Sequence, residues 1–198
     1  AAFELVSPTQ TAGIFLPAGE PECVRLAVED LVRDTQTITG RTLVGARRAA
    51  DCGPSCVVLA SVNRPESAAL LEQLAPGFGA GLKGKWEAYR VEAVGPRLLI
   101  AGSDERGTIF GLYAFIEKHL GVDPLYFWKS QPPQPRATLT WDSVKLTSGG
   151  PRFRYRGWFI NDEDLLTEFG TSAGPRHIDY PFYARVIDLA MADRIYEA

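Results

Sequence analysis

Asn161, Asp162, Glu163 and Asp164 place one amide and three carboxylates in consecutive positions, directly after the run Phe153-Arg154-Tyr155-Arg156-Gly157-Trp158-Phe159-Ile160. Carboxylates move protons, and together with an amide they fix a polar ligand through hydrogen bonds. A strand that is apolar along its length and polar at its tip is how a scaffold carries such groups to the open end of a pocket. Read bare, Asp162 or Asp164 also suits the cap of a helical turn through Leu165-Leu166.

Other chemistry-bearing residues are sparser. Ser103, Asp104, Arg106 and Gly107 resemble an anion-binding loop at a helix start. An acidic cap already occupies that helix end, however, and no phosphate-loop lysine pattern follows, so a structural role is expected. The two histidines, His119 and His177, lack a Cys, Asp or second His at ligand spacing. No metal site and no cofactor is therefore expected, with His119 serving as a charge at a helix C-terminus and His177 as a loop residue. Three cysteines form no zinc pattern. Cys52 and Cys56 suit either a small disulfide or free thiols; the favoured reading is free thiols, with Cys56 a buried strand residue and Cys23 in a helical pattern.

The elements that position these groups follow from apolar periodicity. Residues 3–6 alternate as a first strand, and 14–16 give a second. Val24, Ala27, Val28, Leu31, Thr35 and Ile38 recur at helical spacing over 22–39, with Gly40 as the stop. Residues 56–62 form an unbroken apolar, β-branched run, expected to be a central strand covered on both faces. A short helix follows over 65–74, then a glycine-marked turn at 77–84. Strict alternation over 86–93, a turn at 94–97 and the apolar run 98–102 predict a β-hairpin. Ser103 or Asp104 caps the next helix, whose stripe is Ile109, Leu112, Tyr113, Ile116 and Leu120; Gly107 and Gly111 leave a flat strip on which it can lie close to a sheet.

Proline-rich 124–135 should hold no regular element. Short strands at 137–141 and 143–146 lead outward to the break at Gly149-Gly150-Pro151, and 152–198 reads as strand, long loop and helix. The expected fold class is α/β (α+β): a mixed β-sheet with helices packed on it, followed by the first βα unit of a repeating α/β fold. The expected divisions are an α/β domain at 1–135, linker strands at 136–151 and a truncated βα body at 152–198.

Composition excludes several classes. A net charge of −3, a pI near 5.5 and the lack of a Lys/Arg-rich run argue against nucleic acid as a partner. No apolar stretch reaches the roughly 18–20 residues of a membrane span. The chain does not start with Met, which suits an exported protein, periplasmic or extracellular, from which a signal peptide has been removed.

Three blocks occur together: Gly102-Ser-Asp-Glu-Arg-Gly-Thr-Ile-Phe-Gly-Leu-Tyr113, Gly121-Val-Asp-Pro-Leu-Tyr-Phe-Trp128 and Tyr155-Arg-Gly-Trp-Phe-Ile-Asn-Asp-Glu163. In that order they resemble the N-terminal part of glycoside hydrolase family 115, the xylan α-1,2-glucuronidases. The resemblance implies an accessory α/β domain, like that preceding β-hexosaminidase and family 67 α-glucuronidase barrels, followed by a (β/α)8 catalytic barrel. The loop at 165–177 departs from the family, which loosens the inference on sugar specificity.

Glycosidases set two carboxyl groups about 5–5.5 Å apart when retaining and about 6.5–9.5 Å apart when inverting. Asp162 and Asp164 share a strand face and would approach a sugar from one side. The resemblance therefore implies that Asn161, Asp162 and Glu163 bind substrate hydroxyls, while the catalytic acid and base come from strands beyond this chain. Tyr126, Phe127, Trp128, Trp141 and Trp158 are expected mainly to seal the accessory domain against the barrel rather than stack on sugars. The implied partners are a carbohydrate substrate and the remaining barrel of the same polypeptide, and the fragment is expected to be inactive alone. A non-catalytic carbohydrate-binding or domain-stabilising module is the alternative.

Overall fold

The computed structural model describes residues 2–157 together with Ala184, Val186 and Ile187. The strands are β1 (Phe3–Val6), β2 (Gly13–Phe15), β3 (Val44–Ala46), β4 (Cys56–Ser61), β5 (Tyr89–Val94), β6 (Arg97–Gly102), β7 (Leu139–Trp141) and β8 (Lys145–Ser148). The helices are α1 (Glu22–Thr39), α2 (Pro65–Leu74), α3 (Glu105–Phe115) and α4 (Tyr126–Lys129). This is the expected mixed α/β architecture.

Six strands form one sheet in the order β3-β2-β4-β6-β5-β8. Strands β3, β2, β4 and β6 run parallel, while β5 is antiparallel to both β6 and β8. Every residue of β4 is buried, as its unbroken apolar run requires of a strand covered on both faces. Alternation along β4 and β6 splits the core in two. Val57, Leu59, Leu98 and Ile100 meet the layer made by α1 and α3, whereas Val58, Ala60, Leu99 and Ala101 meet Leu71 of α2 with Phe78 and Leu82. Each fully buried aliphatic side chain contributes about 1.5–3 kcal/mol, so these two layers set the stability of the body that carries the site.

The strands expected to lead outward are integral to the two sheets. β7 pairs with β1, with Phe3 opposite Trp141, and β8 forms the edge beside β5. Trp141 packs within this body, 5.4 Å from the Phe115 ring and 5.5 Å from the His119 ring. Pairing with β1 sets it against the core, where it is partly buried. His119 lies in the last helical turn, as expected, but it is partly buried there: it stacks on Phe115 at 5.3 Å and burial lowers its pKa from the ordinary histidine value.

Two further expectations need correction. Residues 126–129 form one helical turn, α4, supported by Asp123: its carboxylate accepts from the Leu125 N–H at 2.8 Å and from Lys129 Nζ at 2.6 Å. Cys52 and Cys56 are bridged rather than free, with Cα atoms 5.5 Å apart. Gly53, at φ +82°, and Pro54 fold the chain back on itself here, which brings the second thiol within reach of the first. Cys23 is exposed on α1.

Candidate functional site

A buried charge cluster that reaches into residues 153–156 centres on the turn at 86–88. The sequence pattern predicts a strand from Trp86, but β5 starts only at Tyr89, because Glu87 adopts φ +51° and breaks the alternation. Non-glycine residues seldom hold that conformation unless their surroundings impose it. Here four neighbours do so. Asp104 caps α3 by accepting from the Gly107 N–H at 2.8 Å with one oxygen and from the Glu87 N–H at 2.9 Å with the other. Ser103 accepts from the Ala88 N–H at 2.9 Å and donates its own N–H to the Ala88 carbonyl at 2.8 Å. Gly107 and Gly150 supply the room, since a Cβ at either would stand 2.3 Å from the Ala88 or the Trp86 carbonyl oxygen respectively.

The Ser103-Asp104-Arg106-Gly107 segment thus holds backbone, the structural role expected of it. Gly107 and Gly111 allow the close helix-on-sheet approach that their spacing predicts; a Cβ at Gly111 would meet Tyr89, Val91 and Ile100 at 3.1–3.3 Å.

The Glu87 carboxylate held in this way is 1% exposed and lies between two guanidinium groups. Arg106 approaches at 2.9 Å from its half-exposed position on α3. Arg156 binds the other carboxylate oxygen, and its side chain is only 5% exposed. The same guanidinium donates to the carbonyls of Phe153 and Arg154, so 153–156 fold around it. A carboxylate this deep survives only if compensated, and two cations do so here. Arg154 lies 5.9 Å over the Trp86 ring, beside exposed Phe153 and Tyr155.

A second buried polar cluster braces the far side of α3. Glu20, 2% exposed, accepts from the Ser61 N–H at 2.6 Å, from Ser61 Oγ at 2.8 Å and from Ser67 Oγ at 2.6 Å. Ser61 also shares a 2.8 Å hydrogen bond with Thr108 of α3. These contacts tie the loop after β2 to the end of β4, to α2 and to α3, a structural role.

Asn161, Asp162 and Glu163, with Asp164 and His177, lie outside the described residues. Arg156, five positions before Asn161, is therefore the last charged residue the structure places on the way to them. Glu87 is not among the residues that motif and spacing single out, although the sequence carries a sign of it: on an alternating pattern it falls on the side of Tyr89, Val91 and Ala93, a carboxylate among apolar neighbours. Among the described residues no cluster of His, Cys, Asp and Glu could hold a metal ion, and no helix is long and apolar enough to cross a membrane. A crevice of about 490 Å³ opens beyond Phe15 of β2 and Ala46 of β3, with Arg47 and Glu66 as its charged groups.

Against this geometry the comparisons with known proteins agree. The family model described as Glycosyl hydrolase family 115 matches residues 148–195, the segment that contains Arg156 and the amide-and-acid cluster. Among solved structures, a family GH115 4-O-methyl-α-glucuronidase with specificity for decorated arabinogalactans is similar over 97% of this chain, with 28% identity and a TM-score of 0.78. The chain spans 25% of that protein's length. No curated protein matches the sequence. The chain thus resembles the N-terminal part of family 115 proteins.

Proposed function

We propose that this chain is the accessory domain, and from about residue 152 the beginning of the (β/α)8 catalytic barrel, of an exported α-glucuronidase-like hydrolase. The observation that carries the reading is the coincidence of two matches: the similarity to a 4-O-methyl-α-glucuronidase runs through nearly the whole chain, and the family 115 model falls on 148–195. The substrate class is a plant-type polysaccharide, or its oligosaccharides, carrying uronic acid branches such as those of xylan or arabinogalactan.

In this reading Asn161, Asp162 and Glu163 hydrogen-bond the sugar hydroxyls, and the proton-transferring carboxyl groups come from later strands of the barrel. A barrel needs about 200 residues or more, so the chain by itself performs no hydrolysis. The Cys52–Cys56 bridge supports export, because disulfides persist mainly in oxidising compartments.

The test is to incubate the full-length protein with 4-O-methylglucuronoxylan, a glucuronate-decorated arabinogalactan and chitooligosaccharides, and to identify the released sugar. Release of the uronic acid from either of the first two is the expected result. Release of N-acetylglucosamine alone, or of no sugar, overturns the reading.

A further inference from the structure

We infer that the crevice beyond β2 and β3 binds a uronic acid ring, its carboxylate held by Arg47, its hydroxyls by Glu66, and its C–H face by the Phe15 ring. The choice of ligand rests on the reading that the protein acts on uronate-bearing polysaccharides; the crevice itself does not.

The topology makes an opening here. In the order β3-β2-β4, the chain passes from β2 to a strand on one side of it and then returns to a strand on the other. It leaves β2 into α1, which packs on one face of the sheet, whereas the connection from β3 to β4 runs on the opposite face, where Cys52 joins the layer of Leu71 from α2. At such a switch the loops beyond the carboxyl ends of the strands part to opposite faces, and open α/β sheets bind ligands in the crevice between them. The β3–β4 connection carries only a 3₁₀ turn, Ala49–Asp51, in place of a full helix, and β3 ends the sheet. Phe15 and Ala46 are therefore only partly covered on the α2 side.

The lining suits a ligand with one flat apolar face and a charged, hydroxyl-bearing edge. The volume of about 490 Å³ falls within the range of about 300–1,000 Å³ usual for small-molecule sites. Phe15, Pro17 and Leu70 supply apolar surface, and the electron-rich face of an aromatic ring attracts the C–H groups of a sugar. Arg47 and Glu66 make no hydrogen bond or ion pair with another described residue, whereas the adjacent Arg48 holds Asp51 at 2.7 and 2.8 Å. The Glu66 carboxylate lies against the loop after β2, 3.2 Å from where a Cβ at Gly19 would stand. A guanidinium fork matches a carboxylate in two parallel hydrogen bonds, and a carboxylate accepts from hydroxyls. A neutral sugar would leave Arg47 unanswered, and a simple carboxylate would leave Glu66 and the Phe15 ring unused. A uronic acid engages all three.

The test uses the full-length protein and three probes: methyl β-D-glucuronide, its neutral twin methyl β-D-glucoside, and acetate. Hydrogen exchange in peptides covering 13–19 and 44–50 should slow at least about threefold with the glucuronide, with half-saturation on the order of 1 mM, as suits a ligand of this size. The peptide covering 117–129 should not change, nor should the glucoside or acetate slow any of them. Arg47→Gln should raise the half-saturating concentration about tenfold or more. Phe15→Leu, which keeps an apolar side chain but removes the ring, should raise it about threefold or more.

Exchange unaltered by the glucuronide, equal slowing by the glucoside or by acetate, or an unchanged half-saturation in Arg47→Gln overturns the proposal. If Phe15→Leu does not fold, Arg47→Gln carries the comparison, since Arg47 is exposed. The two readings fail separately. A protein that releases no uronic acid yet shows the protection keeps the site and loses the hydrolase reading; release of uronic acid without protection does the reverse.

Discussion

Replacing Gly107 by alanine should loosen the junction between α3 and the 86–88 turn. The added Cβ would stand 2.3 Å from the Ala88 carbonyl oxygen, where ordinary contact starts near 3.4 Å. Both sides of the clash are backbone, so no side chain can swing away, and the helix and turn must part by roughly 1 Å. That displacement strains the cap in which Asp104 receives the N–H groups of Gly107 and Glu87. Overpacking of this kind costs about 1–3 kcal/mol, and each weakened hydrogen bond adds about 1 kcal/mol. Against this, alanine gains up to about 1 kcal/mol in helix propensity, less in a first turn. The net expectation is a loss of about 2 kcal/mol, or a fall in Tm of about 4–8 °C for a chain of this size.

Gly111→Ala is the matched control. Its Cβ would meet side-chain carbons at 3.1–3.3 Å, which can give way by a few tenths of an ångström. Propensity then offsets most of the strain, and stability should stay within about 1 kcal/mol of wild type. Thermal unfolding of both variants measures the contrast. A Gly107→Ala protein as stable as wild type, or two variants equally destabilised, would refute the argument from close approach.

Glu20→Ala should destabilise by about 3 kcal/mol or more, because it strands the Ser61 N–H and the Ser61 and Ser67 hydroxyls in the interior; Glu22→Ala on the exposed side of α1 should change stability by less than about 0.5 kcal/mol in the same urea titration. Opening the Cys52–Cys56 bridge by Cys→Ser replacement of both residues should remove on the order of 2 kcal/mol, as expected for a short closed loop, read as a lower urea midpoint. Burial lowers the His119 pKa, so the unfolded chain binds a proton there more readily than the folded one. Stability should therefore fall as pH drops below the ordinary histidine value of about 6.5, down to the depressed folded value, and recover on raising pH. His119→Phe, which keeps a ring beside Phe115 and Trp141, should flatten that slope; an unchanged slope would count against the assignment.

Local signals made much of the fold legible. Helices α1 and α2 have the bounds their apolar spacing and flanking Pro and Gly predict, and β4 reads as central because its apolar run has no polar side. What escaped depends on contacts distant in sequence. Nothing near 139–141 announces a partner at 3–6, so the pairing of β7 with β1, and with it the partial burial of Trp141 and His119, is not legible in the sequence. The apolar run at Cys56 signals a buried thiol more strongly than Gly53-Pro54 signals a turn, yet it is the turn that brings the two sulfurs together. Glu87 combines both causes: periodicity places it in a strand, while its actual conformation is imposed by Asp104 and Gly107, and its charge is answered by Arg156, 69 positions away. The amide-and-acid cluster is visible in the sequence by residue type alone, and the structure places the Glu87–Arg156 ion pair that precedes it.

A crystal structure of the full-length protein with glucuronic acid or its 4-O-methyl ether bound tests the central claim most directly. The account predicts that Arg156 is clasped by Glu87 and that polar atoms of Asn161, Asp162 or Glu163 stand within hydrogen-bonding distance of the sugar hydroxyls. A sugar bound elsewhere, with those three side chains packed away from it, would contradict the account.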